Sequence, residues 1–269
     1  MKKDRLATRT LEGRSVALIF ERPSTRTRVS FDVGISELGG NAVVLREGET
    51  QLARGEALRD FALVLSRMVA AIAVRTGPHE TVEELARHSS VPVVNMLTAG
   101  HHPCQALADL LTLRERFGEL DGLKLAYVGD GNNVTHSLML VGALAGVDVV
   151  AATPPDLRPD EDVVARAGAT VTDDPAAAAD GAHAIYTDVW VSMDDADSDA
   201  KRAALEPYRL DEALLERAHP DAIALHCLPA HPGEEISEGV LYGERSAVWD
   251  QAENRLHAQK ALLELLLAD

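Results

Sequence analysis

Short apolar runs alternate along the chain with longer segments in which apolar residues recur every three or four positions. Continuous apolar runs are typical of strands buried in parallel sheets, and the longer period is typical of amphipathic helices. The alternation therefore predicts an α/β fold. The predicted strands cover residues 16–20, 42–45, 70–74, 91–95, 124–128, 147–152, 182–187 and 222–225. The predicted helices cover residues 25–38, 59–68, 81–88, 103–118, 134–145 and 252–267.

The pattern restarts after the polar segment GELDG at residues 118–122. We therefore predict two doubly wound parallel-sheet domains with a cleft between them. The first domain comprises residues 1–118 together with the C-terminal helix, residues 252–269, which returns to it. The second domain comprises residues 119–251.

Polar motifs follow six of the predicted strands. They are STRTR after the first strand, Arg75, HHPCQ, GDGNN, TDVWVSM and HCLP. Ligands of doubly wound sheets bind beyond the carboxyl ends of the strands, so these motifs are the candidate site.

Charge and composition narrow the class of protein. The chain has 269 residues, a net charge of -17 and 46% hydrophobic residues, which is ordinary for a folded globular protein. Its five lysines form no basic stripe, so we expect no nucleic-acid partner. The spread of acidic residues also suggests a salt-rich cytoplasm, in which screening relieves self-repulsion.

Targeting signals and cysteine spacing give further expectations. No apolar run approaches the roughly 18 to 20 residues that a membrane span needs, so we expect a cytoplasmic protein with no membrane partner. Cys104 and Cys227 have no zinc or disulfide spacing, which predicts neither a structural metal nor a disulfide.

The segment FERPSTRTRVSF places Arg22, Arg26 and Arg28 among hydroxyl residues at a predicted helix start. Helix N-termini attract anions, and guanidinium groups bind oxyanions with paired hydrogen bonds. The alternative is a capped helix with surface arginines. Because Arg26 and Arg28 are two positions apart on a helix, only one of them is expected to face a ligand.

The GDGNN motif and Asp188 each leave two interpretations open, whereas one interpretation is favoured for Cys227. GDGNN lacks the GxGxxG spacing of a dinucleotide site, so its asparagines, Asn132 or Asn133, either bind a ligand or form an ordinary turn. Asp188 either binds an ammonium group or caps a helix. Cys227 has no evident catalytic base nearby and is expected to be a small buried residue whose backbone makes the contacts.

Taken together, PSTRTR, HPCQ, GDGNN, DVWVSM, HCLP and QAENRLHAQKA resemble the ornithine carbamoyltransferase family over nearly the whole chain. PSTRTR and HPCQ would also suit the related aspartate enzymes, so specificity rests on the second domain. The resemblance implies transfer of a carbamoyl group from carbamoyl phosphate to L-ornithine, or the reverse in arginine breakdown, without a cofactor or metal.

The resemblance also implies roles for particular residues. Arg26, Thr27, His102, Arg255 and Cys227 would be catalytic. Carbamoyl phosphate would be bound by Ser24, Thr25, Arg26, Thr27, Gln51, Arg75, His102, Pro103, Cys104, Gln105 and Arg255. Ornithine would be bound by Asn133, Asp188, Ser192, Met193, Cys227 and Leu228. Gln51 is similar to a residue that the family lends to a neighbouring subunit, which implies a homotrimer or a multiple of trimers.

Two departures from the family keep alternatives open. The chain begins almost at the first strand, where family members have a preceding helix, and Asp194 replaces the glycine that usually follows SM. Glycine there would permit a loop to close over the substrate. The alternatives are a carbamoyltransferase for another amine, such as putrescine or an acylated ornithine, and a non-catalytic anion-binding or assembly paralogue.

Overall fold

A computed structural model describes residues 2–191 and 198–268 of the chain. Its contacts divide the chain into two compact units, Met1–Cys104 with Glu253–Asp269, and Gln105–Ala252. Each unit is built on one parallel sheet, and we describe each by itself. The predicted α/β fold with two parallel sheets is confirmed.

The first unit contains a four-stranded sheet and most of the helices that cover it. Its strands are β1 (Ser15–Phe20), β2 (Asn41–Arg46), β3 (Ala71–Arg75) and β4 (Val93–Leu97), in the order β2-β1-β3-β4. Its helices are α1 (Thr25–Glu37), α2 (Leu58–Leu65), α3 (His79–His88), the first residues of α4 (Pro103–Phe117) and most of α11 (Val248–Leu267). A short 3-10 helix covers Gln51–Arg54.

Helices cover both faces of this sheet, as its apolar pattern predicts. Val16, Leu18 and Phe20 pack on one side in a cluster that includes residues of α1 and α11. Ile19 packs on the other side with residues of α2 and α3. Successive residues of a strand point to opposite faces, so β1 is apolar and buried from residue 16 to residue 20, whereas in the edge strand β2 exposed residues alternate with partly buried ones over its first four positions.

Helices α1 and α11 approach closely in the first unit. A Cβ at Gly34 would lie 3.0 Å from Lys260 Cγ, so glycine permits the approach. The buried Lys260 ammonium is 2.7 Å from Glu37 and donates to Arg5 O at 2.5 Å. Burial alone would raise the pKa of Glu37, but hydrogen bonds from Arg5 and Lys260 outweigh it and lower the pKa. The same two helices carry Thr27 and Arg255.

The second unit is a five-stranded sheet with the order β7-β6-β5-β8-β9. Its strands are β5 (Lys124–Val128), β6 (Asp148–Ala152), β7 (Thr170–Thr172), β8 (Ala184–Thr187) and β9 (Ile223–His226). Its helices are the rest of α4, α5 (Asn133–Ala145), α6 (Glu161–Ala167), α7 (Pro175–Ala179), α8 (Ser198–Leu205), α9 (Glu212–Leu215), α10 (Glu238–Leu241) and the start of α11. All four strand pairs are parallel.

Strand order identifies where each sheet can bind a ligand. The chain leaves β1 to form β2 on one side and returns to place β3 on the other, and the same reversal occurs at β5 and β8. Loops diverge at such a reversal and leave a crevice at the carboxyl ends of the two strands. The crevices therefore open after β1 and β3 in the first unit, and after β5 and β8 in the second.

No helix among the described residues is both long enough and apolar enough to span a membrane.

Candidate active site

The start of α1 follows β1 at the crevice of the first unit. Ser24 caps the helix, because its Oγ accepts a hydrogen bond from Thr27 N at 3.3 Å. Ser24 Oγ also donates to Thr27 Oγ1 at 2.9 Å. The Thr27 side chain is buried, and Arg255 Nη2 donates to its Oγ1 in a short contact. The segment STRT therefore caps α1 and contributes side chains to a polar cluster.

Three arginines and one histidine form the centre of this cluster. His102 and Arg255 are almost fully buried, and Arg75 ends β3. Burial lowers the pKa of His102 well below its usual value, and the positive charges of Arg255, Arg75 and Arg26 lower it further. His102 is therefore a neutral imidazole among three guanidinium groups. Such a concentration of positive charge at a helix start is suited to a dianion.

The lowered pKa of His102 predicts a dependence of stability on pH. An unfolded histidine binds a proton below about pH 6.5, whereas the folded His102, whose pKa is well below that value, does not, so the free energy of unfolding decreases as the pH falls below 6.5. We expect the stability of wild type, relative to His102→Asn, to be greatest above pH 6.5 and to fall between pH 6.5 and pH 5. Urea unfolding at three pH values measures it. A difference that is independent of pH would contradict the neutral His102.

Arg28 faces a different environment from Arg26. It lines a surface cavity of about 290 Å³ at the carboxyl ends of β1 and β2, which is also lined by Phe20, Glu21, Pro23, Ser24, Thr25, Val44, Arg46 and Glu47. The residues around His102 do not line this cavity. The cavity contains two of the predicted phosphate-binding residues, Ser24 and Thr25, but it lacks the group of arginines. We therefore place the candidate anion site at His102.

The other residues that were predicted to bind carbamoyl phosphate differ in their surroundings. Pro103 is the first residue of α4, where its missing N–H is not needed. Cys104 is buried, its Sγ donates to Asn95 O at 3.4 Å, and burial raises the pKa of its thiol to about 12. A thiol with that pKa is not a nucleophile at neutral pH. Gln51 is exposed in its 3-10 helix, and Gln105 is buried in the first turn of α4.

Asp188 is the centre of the polar cluster in the second unit. It follows β8 and is nearly buried. Its Oδ2 accepts from Asn132 Nδ2 at 2.9 Å, and its Oδ1 accepts from Cys227 Sγ at 2.7 Å and from Val189 N at 2.8 Å. The expectation that Cys227 acts only through its backbone does not agree with this contact, because the half-buried thiol points at the carboxylate.

Asn132 contacts Asp188, although the family resemblance assigns the binding role to its neighbour Asn133. Its Oδ1 accepts from Val134 N and Thr135 N and caps α5, while its Nδ2 binds Asp188. Asn133 is the first residue of α5 and is half-buried. An asparagine at the last position before a helix is a capping signal, and that signal could have identified Asn132.

The HCLP loop is held by a buried histidine. His226 Nδ1 accepts from Leu228 N at 2.8 Å, so the ring proton is on Nε2, which donates to Glu235 Oε1 at 3.1 Å. Leu228 has a φ of 61°, which lies in the left-handed region that residues other than glycine rarely adopt. The bond to His226 holds Leu228 in this conformation next to Cys227.

Two clusters of the described residues could offer metal ligands. Asp188, His226 and Cys227 bring three ligand atoms within 4.8 Å, as do His231, Glu234 and Glu235. In the first cluster both ring nitrogens of His226 already bind protein groups. In the second, Glu234 is paired with Arg202 at 3.2 Å.

The predicted residues Ser192 and Met193, and the unusual Asp194, lie outside the described residues.

Comparisons with known proteins place the chain in a family. Residues 1–115 match the carbamoyl-P binding domain of aspartate/ornithine carbamoyltransferases, and residues 121–266 match their Asp/Orn binding domain. Together these matches cover nearly the whole chain. The chain therefore belongs to the aspartate/ornithine carbamoyltransferase family.

Similar proteins within the family are named ornithine carbamoyltransferase. The ornithine carbamoyltransferase of Parafrankia sp. is 57% identical over 271 residues, which cover 97% of this chain and 86% of that protein. The structure of the Pyrococcus furiosus ornithine carbamoyltransferase has a TM-score of 0.92 at 49% identity, covering 97% of this chain and 86% of that one. The Thermus thermophilus enzyme has a TM-score of 0.93 at 49% identity, covering 99% and 90%. The resemblance inferred from the motifs is confirmed.

Proposed function

We propose that this protein transfers the carbamoyl group of carbamoyl phosphate to the δ-amine of L-ornithine, giving L-citrulline and phosphate. The observation that carries the proposal is the grouping of Arg26, Arg75 and Arg255 around a neutral His102 at the capped start of α1. This arrangement offers charge and hydrogen-bond donors to a phosphate dianion, and Arg26, Arg75 and His102 lie within residues 1–115, which match a carbamoyl-P binding domain.

In the first half-site, Ser24, Thr25 and Thr27 bind the phosphate with the backbone N–H groups of the helix start. Arg26, Arg75 and Arg255 neutralise its charge, and His102 donates to the carbonyl oxygen of the carbamoyl group. Gln51 of a neighbouring subunit and the α4 residues Pro103, Cys104 and Gln105 complete this half-site. Support comes from the helix cap and from the buried guanidinium group of Arg255.

In the second half-site, Asp188 accepts hydrogen bonds from the α-ammonium group of ornithine. Asn133, Ser192 and Met193 hold the remaining polar groups of the amino acid, while Cys227 and Leu228 lie against the side-chain amine. Support comes from Asp188, a nearly buried carboxylate whose two oxygens are held by Asn132 and Cys227. A carboxylate fixed in this way is prepared for a cationic partner.

The chemical step is a direct acyl transfer. The neutral δ-nitrogen of ornithine forms a bond to the carbamoyl carbon, the bond from that carbon to the bridging oxygen breaks, and phosphate leaves with its electron pair. The attacking nitrogen loses one proton, which the departing phosphate accepts. Carbamoyl phosphate is an activated mixed anhydride, so positioning and preoriented positive charge supply most of the acceleration. No covalent enzyme intermediate is required.

A citrulline assay over a range of pH tests this reaction. The side-chain amine of ornithine has a pKa near the ~10.4 of lysine, so the reactive neutral form increases about tenfold for each pH unit. We expect kcat/KM for ornithine to rise from pH 7 to pH 9, and putrescine and N-acetylornithine to react at least about 100-fold more slowly. A flat profile, or equal rates with putrescine, would contradict the proposal.

Several broader expectations belong to the same proposal. We assign residues 1–118 and 252–269 to carbamoyl phosphate and residues 119–251 to ornithine. We expect a cytoplasmic enzyme of arginine metabolism that assembles as a homotrimer or a multiple of trimers, which light scattering measures. The net charge of -17 suggests a salt-adapted surface, and equal melting temperatures in low and multimolar KCl would contradict that.

A further inference from the structure

The carboxylate of Glu235 is fully buried behind the HCLP loop of the second unit. Its Oε1 accepts a hydrogen bond from His226 Nε2 at 3.1 Å and another from the backbone N–H of His231. The side chains of Glu235 and His226 are both inaccessible to solvent. Burying a carboxylate is unfavourable unless it is hydrogen-bonded, so the bonds that Glu235 makes indicate its role.

Backbone groups on both sides of this pair determine which of its atoms donate. The N–H of Leu228 can only donate, so His226 Nδ1, which faces it at 2.8 Å, carries no proton. The N–H of His231 likewise requires an acceptor, and Glu235 Oε1 provides it. The ring proton of His226 is therefore on Nε2 and points at Glu235. A buried carboxylate in this position fixes both the tautomer and the orientation of a histidine.

The segment that carries Glu235 is anchored independently of the HCLP loop. Leu210 N donates to Glu235 O at 2.9 Å, and Arg209 Nε donates to Glu234 O at 2.8 Å. Glu235 therefore has a fixed backbone from which its carboxylate can orient the ring of His226.

The backbone of His226 has a separate anchor in the same unit. His226 N donates to Gln251 Oε1 at 2.9 Å, and Gln251 Nε2 donates to Asp109 Oδ1 at 2.7 Å. Asp109 and Gln251 are fully buried. These bonds hold the main chain of His226, whereas the bond to Glu235 holds its ring.

The conformation of the HCLP loop depends on this ring. Leu228 is in the left-handed region, and its N–H is directed to His226 Nδ1. Cys227 lies between these two residues, and its Sγ donates to Asp188 Oδ1 at 2.7 Å. If the ring proton moved to Nδ1, two donors would face each other at Leu228, and the loop would have to move.

We propose that Glu235 is a positioning residue of the ornithine half-site, because through the His226 ring it holds Leu228 and Cys227 where they meet the side-chain amine of ornithine. This inference rests on the proposed function. Glu235 acts only through His226, since its own carboxylate is inaccessible to solvent. Carbamoyl phosphate is assigned to the first unit, so its binding should not depend on Glu235.

The test compares Glu235→Met with the conservative variant Glu235→Gln. Glutamine retains an oxygen, and the N–H of His231 selects that oxygen over the amide nitrogen, so His226 keeps its acceptor. Methionine has a similar length but offers no oxygen. We expect Glu235→Met to raise the KM of ornithine about tenfold or more, and Glu235→Gln to stay within about threefold of wild type. The Kd of carbamoyl phosphate, measured by calorimetric titration, should stay within about twofold in both.

A merely structural role predicts a different pattern. Equal effects of the two variants on the KM of ornithine, or equal losses of ornithine and carbamoyl phosphate binding in Glu235→Met, would overturn the inference.

Nitrogen NMR of histidine-labelled protein measures the tautomer directly. The signals of His226 are identified by their absence in His226→Asn. We expect a single proton on Nε2 in wild type and in Glu235→Gln, and a mixture of tautomers in Glu235→Met. A wild-type ring protonated on Nδ1 would overturn the inference, as would an unchanged tautomer in Glu235→Met.

A double variant with His226→Asn and Glu235→Met covers the case in which Glu235→Met does not fold. The asparagine oxygen takes the place of Nδ1 and can accept from Leu228 N without help from position 235. The KM of ornithine should therefore stay within about threefold of that of His226→Asn alone. A further tenfold rise would show that Glu235 does not act through His226 and would overturn the inference.

The proposed function is tested separately by the wild-type enzyme. If wild type forms no citrulline, the proposed function fails. An active wild type whose KM for ornithine does not respond to Glu235→Met refutes only the role of Glu235.

Discussion

Arg255→Met lowers kcat/KM for carbamoyl phosphate by about 10² to 10³-fold while the protein remains folded. Arg255 is nearly buried, donates to Thr27 Oγ1 and is one of the charges that keep His102 neutral. Removing a buried cation from a developing oxyanion costs about 3 to 4 kcal/mol in comparable sites. Methionine retains an apolar stem of similar length, so packing in α11 changes little. Steady-state citrulline formation measures the effect.

Arg87→Met is the matched control for Arg255→Met. Arg87 is exposed on α3 of the same unit and pairs with Glu84. Exposed ion pairs contribute little, so kcat/KM should stay within about twofold of wild type. If Arg255→Met, folded by circular dichroism, also stays within threefold, then Arg255 does not bind the phosphate.

Asp188→Asn raises the KM of ornithine and lowers kcat/KM for ornithine by about 10² to 10³-fold, while carbamoyl phosphate binds as before. The charge-assisted bond from the α-ammonium group is lost, and the new amide places N–H donors against those of Asn132 or Val189. The asymmetry between substrates is the specific expectation, because Asp188 is in the second unit. Calorimetric titration with carbamoyl phosphate and steady-state kinetics measure both.

Asp221→Asn provides the same chemical change at a neutral position. Asp221 is an exposed residue of the second unit, before β9. Its substitution should leave both substrates unaffected. Equal loss of carbamoyl phosphate binding in Asp188→Asn would contradict the assignment of Asp188 to ornithine.

The strands that carry the site were predictable because they are buried on both faces. The strands β1, β3, β5 and β8 read as continuous apolar runs, so the polar residues that follow them stood out. The edge strand β7 was not predicted, because it is only three residues long (TVT) and is partly exposed. The start of α11 at Val248 was placed four residues too late, which left Gln251 outside the predicted helix.

The buried network around Asp109 could not be predicted from the sequence. Asp109 and Gln251 are 142 residues apart, and only the fold brings them together. One local signal was present, since Asp109 is a carboxylate in the apolar segment ALADLLTL and lies four positions after Gln105. A charged residue on an apolar helix face requires a buried partner, and Gln105 is the partner within reach.

A crystal of the protein soaked with phosphonoacetamide, a stable mimic of carbamoyl phosphate, tests the central claim most directly. We expect the phosphonate at the start of α1, with hydrogen bonds from Thr27 and from Arg26, Arg75 and Arg255, and with its amide toward His102. A phosphonate bound instead in the cavity beside Arg28, or absent while the three arginines contact only water, would contradict the account.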